Sequence, residues 1–140
     1  MAKGKRHKLK LESEFNFSIY GIYSSEKDYK LCWLINEKLS LKLSKSEDII
    51  FESKNGMTNN FSVYSHFNEN EEILYRLISN KNLSYYLIEE LKNIDFVFQI
   101  FNNDDILKIT TELKKVENIL GVIKIDLELI KSISKQVLEI

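Results

Sequence analysis

The 140-residue chain has no proline, one cysteine, two histidines and only four glycines. A lone cysteine, Cys32, forbids an intrachain disulfide and implies no oxidising compartment. His7 lies in the basic N-terminal stretch, so one histidine, His66, and one cysteine remain for the body, too few for a His/Cys zinc cluster. Gly4, Gly21, Gly56 and Gly121 are too scattered for a P-loop or a dinucleotide-binding turn, and no G-x-S-x-G occurs. The longest apolar runs, Leu31–Ile35 and Ile119–Ile123, fall far short of the roughly 20 residues a membrane helix needs. The basic N-terminus lacks the apolar core of a secretory signal. A cytoplasmic protein with no membrane contact, no metal and no cofactor is the expectation.

What is present is ordinary for a globular domain: 44% apolar and 29% charged residues. A chain of this length can bury roughly 65–70% of the surface exposed when unfolded, enough for one core. The net charge of −1 hides an asymmetry: residues 1–10 carry Lys3, Lys5, Arg6, Lys8 and Lys10 with no acid, and the rest holds 15 basic and 21 acidic residues, a net −6. That balance argues against a uniformly basic nucleic-acid face on the body and leaves the arm to supply one. Alternation of lysine with Leu9 and Leu11 gives the arm a second reading, as an edge strand shielded by charge. The chain divides into this arm (1–14), one α+β domain (15–126) and a C-terminal short helix or tail (127–140) with Leu127, Ile130, Ile133 and Val137 at helical spacing.

Apolar–polar alternation from Phe15 to Ile22 predicts a first strand. Ser24 or Ser25 then caps a helix whose apolar face is Leu31, Leu34, Ile35 and Leu39, with Tyr29 and Trp33 as an aromatic pair beside it. Three strands follow at Ile49–Ser53, Phe61–Asn68 and Glu72–Ser79, the first two joined through the hairpin signal Asn55-Gly56. Leu83–Asn93 fits both helix and strand; a short strand through Tyr85-Tyr86, one helical turn and a strand from Asp95 is the expected resolution. Phe96–Phe101 is the most apolar strand. Asn102 or Asn103 caps a second helix with Asp104 and Asp105 in its first turn and Ile106, Ile109, Leu113 and Val116 on its inner face; Gly121 stops it before a strand at Val122–Ile125.

The stretch Ile88-Glu89-Glu90-Leu91-Lys92-Asn93-Ile94-Asp95-Phe96 resembles the signature that names the IPExxxVDY family. Glu89 stands where the family has proline, which suits a turn or the first position of a helix, and Phe96 stands where it has tyrosine. Asp28–Asn36 is similar to the family's first helix, so the resemblance runs from about Leu9 to Asp126. It implies a small α+β protein and assigns no chemistry. The strand–helix–strand unit containing Ile119-Leu120-Gly121-Val122 is similar to the closing half of ACT-type ligand-sensing domains. With the opening strand and helix it implies a ferredoxin-like α+β sandwich, an antiparallel sheet of about five to seven strands with two main helices.

Cys32, between Leu31 and Trp33, has only Lys30 as a nearby cation and reads as core rather than nucleophile. His66 reads as a solvent-facing strand residue. Glu89, Glu90 and Asp95 could share a proton or a hard cation, but Asp95 is better placed to accept backbone N–H groups where its strand begins. Asn102–Asp105 lacks the spacing of a calcium loop. No catalytic constellation is visible. The leading expectation is a non-enzymatic protein-interaction module docking through tyrosines, with Tyr85, Tyr86, Glu90, Asp95 and Phe96 as its candidate residues and a homodimer among the partners it allows. Two others stand beside it: an RNA- or ribosome-associated factor using Lys3, Lys5, Arg6, Lys8 and Lys10, and an ACT-like small-ligand sensor.

Overall fold

The computed structural model describes residues 17–52, 55–83, 85–102, 105–131 and 138. The chain runs β1 (Phe17–Tyr23), α1 (Asp28–Leu39), β2 (Ser44–Lys45), β3 (Ile49–Glu52), β4 (Thr58–Phe61), β5 (Val63–Asn68), β6 (Ile73–Ser79), β7 (Lys81–Asn82) and β8 (Tyr85–Tyr86). A 3-10 turn at Glu89–Leu91 leads to β9 (Phe96–Phe101), α2 (Ile106–Lys114), β10 (Gly121–Ile125) and a last 3-10 turn at Leu127–Leu129. Six strands form one antiparallel sheet in the order β10-β1-β9-β6-β5-β2, while β3–β4 and β7–β8 are separate hairpins. The protein is thus α+β, with a multi-stranded antiparallel sheet and, among the described residues, two α-helices, neither of them long and apolar enough to cross a membrane.

Because side chains alternate across a strand, the central strands β1, β6 and β9 each serve two clusters. Tyr20 and Ile22 of β1, Tyr75 and Leu77 of β6, and Phe96, Phe98 and Ile100 of β9 pack against Leu31, Leu34 and Ile35 of α1 and Ile109 and Leu113 of α2. The opposite face carries Phe17, Ile19, Val63, Ile78 and Val97, and is covered by Phe61, Leu87, Ile88, Ile94, Ile130 and Leu138. Double coverage explains why β9 reads as an almost continuous apolar run. Its one polar residue, Gln99, is fully buried and satisfied: Nε2 donates to the Leu138 carbonyl at 2.6 Å, and Oε1 accepts from Arg76 at 2.8 Å. Arg76 also donates to the Leu138 carbonyl at 3.1 Å.

Several local expectations shift. The cap of α1 is Lys27, with no side-chain bond, and Ser24 is used elsewhere; the helix closes at Ser40, whose φ of 57° lets its N–H reach the Asn36 carbonyl. Asp105, rather than an asparagine, caps α2 by accepting from Lys108 N–H, and Asn103 and Asp104 lie outside the described residues. α2 ends at Lys114, well before Gly121, which opens β10. The expected strand 61–68 breaks at Ser62, because Phe61 belongs to the β3–β4 hairpin and Val63 to the sheet. His66 is half-buried and stacked on Tyr75, with ring centroids 6.2 Å apart, not solvent-facing. The start of the tail is a 3-10 turn; Ile133 and Val137, like the arm residues Lys3, Lys5, Arg6, Lys8 and Lys10, lie outside the described residues.

Candidate functional site

The residues from Ile88 to Phe96 are built around one side chain. Asn80, directly after β6, is fully buried. Its Nδ2 donates to the carbonyls of Leu91 and Ile94, both at 3.0 Å, and its Oδ1 accepts from Ile88 N–H at 2.9 Å. Its own N–H donates to the Asp95 carbonyl, and its carbonyl accepts from Leu87 N–H. A segment with no sheet partner must satisfy its buried backbone somewhere, and Asn80 supplies that need at both ends of the 3-10 turn. Ile88 is extended, with φ −113° and ψ 103°, before the first position of that turn, a geometry that also admits proline at position 89.

Asp95 acts as a backbone acceptor at the start of its strand. Its Oδ2 accepts from Ser24 N–H at 2.9 Å, and its own N–H donates to the Ile22 carbonyl. Ser24 Oγ in turn donates to the Asn118 carbonyl at 2.8 Å and accepts from Glu26 N–H at 3.1 Å. Asp95 therefore fixes the loop that carries the chain from β1 into α1. Glu90 faces elsewhere: it is exposed, and its Oε2 accepts from Lys131 N–H at 2.9 Å. The two acids of the segment are thus separated into two structural tasks.

The loop held by Asp95 forms one wall of a cleft of about 510 Å3. Lys27, Asp28 and Tyr29 stand on this wall, and Phe96, the first residue of β9, lines the cleft as well. Ser62 and Ser79 contribute hydroxyls 2.7 Å apart, and Asn60, Lys81 and Asn82 come from the two hairpins. Asn82 Nδ2 donates to the Asn60 carbonyl at 2.7 Å and so ties β7 to β4. Tyr85 and Tyr86 are the cross-strand partners of Asn82 and Lys81. Asp95, Phe96, Tyr85 and Tyr86 are therefore brought to one end of the sheet, while Glu90 is not among them. Tyr85 is exposed and Tyr86 half-buried, whereas Tyr20 and Tyr75 are buried in the helix-side cluster, so the tyrosines do not form one continuous face.

The cleft was not foreseen from the sequence, because its walls are drawn from segments between Glu26 and Phe96 that share no motif. Its electrostatics are mixed. Asp48 pairs with Lys45, whose Nζ lies 6.0 Å from the Tyr64 ring centroid. The Tyr64 hydroxyl is pushed up to about 12, first by burial and then by the charge of Asp28. Burial, helped by Asp28, also pushes the Cys32 thiol up to about 11, so it is not a thiolate at neutral pH. Among the described residues no group of three histidine, cysteine or carboxylate side chains is placed to hold a metal ion.

A pH dependence follows from these two groups. Both release their proton more readily from the unfolded chain, at their ordinary values of 9.0 for the thiol and 10.0 for the phenol. The stability they contribute is fully present below those values and is lost as pH rises to about 11 and about 12. The melting temperature should therefore fall as pH is raised above 9.0. A Cys32→Ala/Tyr64→Phe variant should show a shallower fall; parallel curves would count against the assignment.

Comparison with protein-family models, curated proteins and solved structures finds no match.

Proposed function

We propose that the chain is a cytoplasmic, non-enzymatic protein-interaction module of the IPExxxVDY type that docks a partner through the two hairpins beside the cleft. The observation that carries this reading is the exposure of large apolar side chains there. Ile50 is 65% exposed and Leu83 83%, and Phe51, Met57 and Tyr85 are exposed as well. Exposed apolar and aromatic side chains on surface projections are the residue types a docking surface presents.

The ferredoxin-like reading of the fold draws support from the quartet β10-β1-β9-β6. Its strands are linked in chain order β1, α1, β6, β9, α2, β10, the arrangement of two interleaved split βαβ units, with β5 and β2 extending one edge. Fold analogy does not by itself carry a sensor function.

The test is affinity capture of the tagged full chain from its own cells, with and without ribonuclease. A discrete protein partner should survive ribonuclease and disappear with Tyr85→Ala/Tyr86→Ala while the far-ultraviolet circular dichroism is unchanged. Capture that vanishes with ribonuclease would instead favour the basic arm as an RNA contact. Capture unaffected by the double substitution would overturn the hairpin surface.

A further inference from the structure

We propose that the basic N-terminal arm docks on the acidic end of its own sheet, its cations against the turn at 69–72 and Leu9 and Leu11 over the apolar row beside that turn. The arm is then a salt-sensitive strap, and its charges meet the phosphates or carboxylates of another molecule only when it is released. This surface and the hairpins lie at opposite ends of β5 and β6, so the two readings stand apart.

The register fixes where the arm is anchored, although residues 1–16 themselves lie outside the described residues. Phe17, the first residue of β1, is level with Phe101 on β9, Leu74 on β6 and Phe67 on β5. These four side chains share the second face, because cross-strand partners point the same way. Phe17 is buried, with its ring centroid 5.2 Å from that of Phe101. Cover thins along the row: Leu74 is half-buried and Phe67 is 51% exposed. Three strand spacings put Phe67 about 14 Å from Phe17, whereas the eight residues 9–16 reach about 26 Å when extended.

The charge at this end of the sheet is negative. Glu69, Glu71 and Glu72, in the turn between β5 and β6, are exposed, and none has an ion pair among the described residues. The Glu72 carbonyl accepts from Asn102 Nδ2 at 3.0 Å, which ties the turn to the end of β9. Asp105 after β9, and Asp126 and Glu128 after β10, add three carboxylates at the same end, against Lys42 before β2 and Lys108 on α2. Into this field the chain delivers Lys3, Lys5, Arg6, Lys8 and Lys10, with only Glu12 and Glu14 as acids before Phe17. One exposed ion pair contributes little, but a short tether holds the arm at an effective concentration on the order of millimolar, and several pairs act together. Leu9 and Leu11 alternate with Lys8 and Lys10, the pattern of a segment with one side for Phe67 and the other for carboxylates.

The test puts a nitroxide on Ala2→Cys in a Cys32→Ala background of the full chain and reads the broadening of isotope-labelled amides. At about 10 mM salt, where charges act over about 30 Å, Phe67, Glu69, Glu71 and Leu74 should broaden more than Ser79 and Lys81 at the opposite end. At about 1 M salt, where that range is about 3 Å, the effect should fall about threefold or more. Glu69→Gln/Glu71→Gln/Glu72→Gln should remove most of it at low salt with an unchanged melting temperature, because all three side chains are exposed. Broadening that is absent, equal at both ends, indifferent to salt or retained in the triple variant would overturn the proposal. So would broadening passed to isotope-labelled chains from separate nitroxide-bearing ones, which would assign the arm to a second copy.

Discussion

Replacing Asn80 with alanine should cost about 4 kcal/mol of folding stability and lower the melting temperature by roughly 10–20 °C. The substitution removes three side-chain hydrogen bonds at once, to Leu91, Ile94 and Ile88. Ile88 and Ile94 are buried, so the Ile88 N–H and the Ile94 carbonyl would have no water to turn to. Each such orphan costs about 1–3 kcal/mol, while the Leu91 carbonyl, on a half-buried residue, costs less. Against a typical total of about 5–15 kcal/mol this is a large share. The damage should begin locally: the 3-10 turn and the Ile88 and Ile94 side chains would lift from the second face before the helix-side cluster opens. Hydrogen exchange should therefore accelerate at Ile88 and Leu91 far more than at Phe98. Urea denaturation of the variant gives the magnitude, and a loss below about 1 kcal/mol would mean that solvent or a backbone shift replaces all three bonds. Asn80→Asp makes a sharper comparison. It keeps the size and the acceptor for Ile88 N–H but turns a carboxylate toward two carbonyls, so it should be no better tolerated than alanine near neutral pH.

The contrast between Asn80 and its neighbours shows what could be read from the chain and what could not. β1, α1 and α2 were legible because each repeats apolar residues at its own period, two for the strand and 3.6 for the helices, and β9 was legible as a short continuous apolar run bounded by turn residues. Asp95 was legible as a backbone acceptor because a short acid at the head of a strand has that option locally. Asn80 was not, since the string Asn80-Lys81-Asn82 carries the composition of a turn; its partners lie 8 to 14 residues away, around the 3-10 turn. The second face was hidden for a related reason. β9 reads as apolar on both sides, but nothing in the run says that Ile94, Ile130 and Leu138 provide the covering layer. The split at Ser62 was invisible because Phe61 and Val63 are both apolar and two apart, the pattern of one strand, although they serve different sheets. Lys27 as a cap and the cleft itself depend on loop placement by Asp95 and Ser24, a contact across 71 residues.

Replacing Gly21 with valine should cost about 2–3 kcal/mol, through the same layer that Asn80 holds in place. Gly21 sits in β1 between Val97 on β9 and Ile123 on β10, its partners in register. A Cβ built there would lie 2.7 Å from Ile94 Cδ1, 3.2 Å from Ile94 Cγ2 and 3.3 Å from Ile123 Cγ2. The closest of these is the tip of a flexible side chain, so alanine can be accommodated by rotation of Ile94. Its lower unfolded-state entropy then offsets part of the strain, and Gly21→Ala should stay within about 1 kcal/mol of the parent. The two further carbons of valine cannot be relieved that way, because Ile94 Cγ2 and Ile123 Cγ2 already stand close to the site. Ile94 must leave the face, and the polypeptide held by Asn80 must move with it. Chemical denaturation of Gly21→Val, Ile94→Ala and the double variant separates this from a general strand defect. If the valine acts by expelling Ile94, truncating Ile94 first makes room for it, and the double variant should be clearly more stable than the two separate losses together imply. Strict additivity would place the cost in the backbone of β1 rather than in the contact between Gly21 and Ile94.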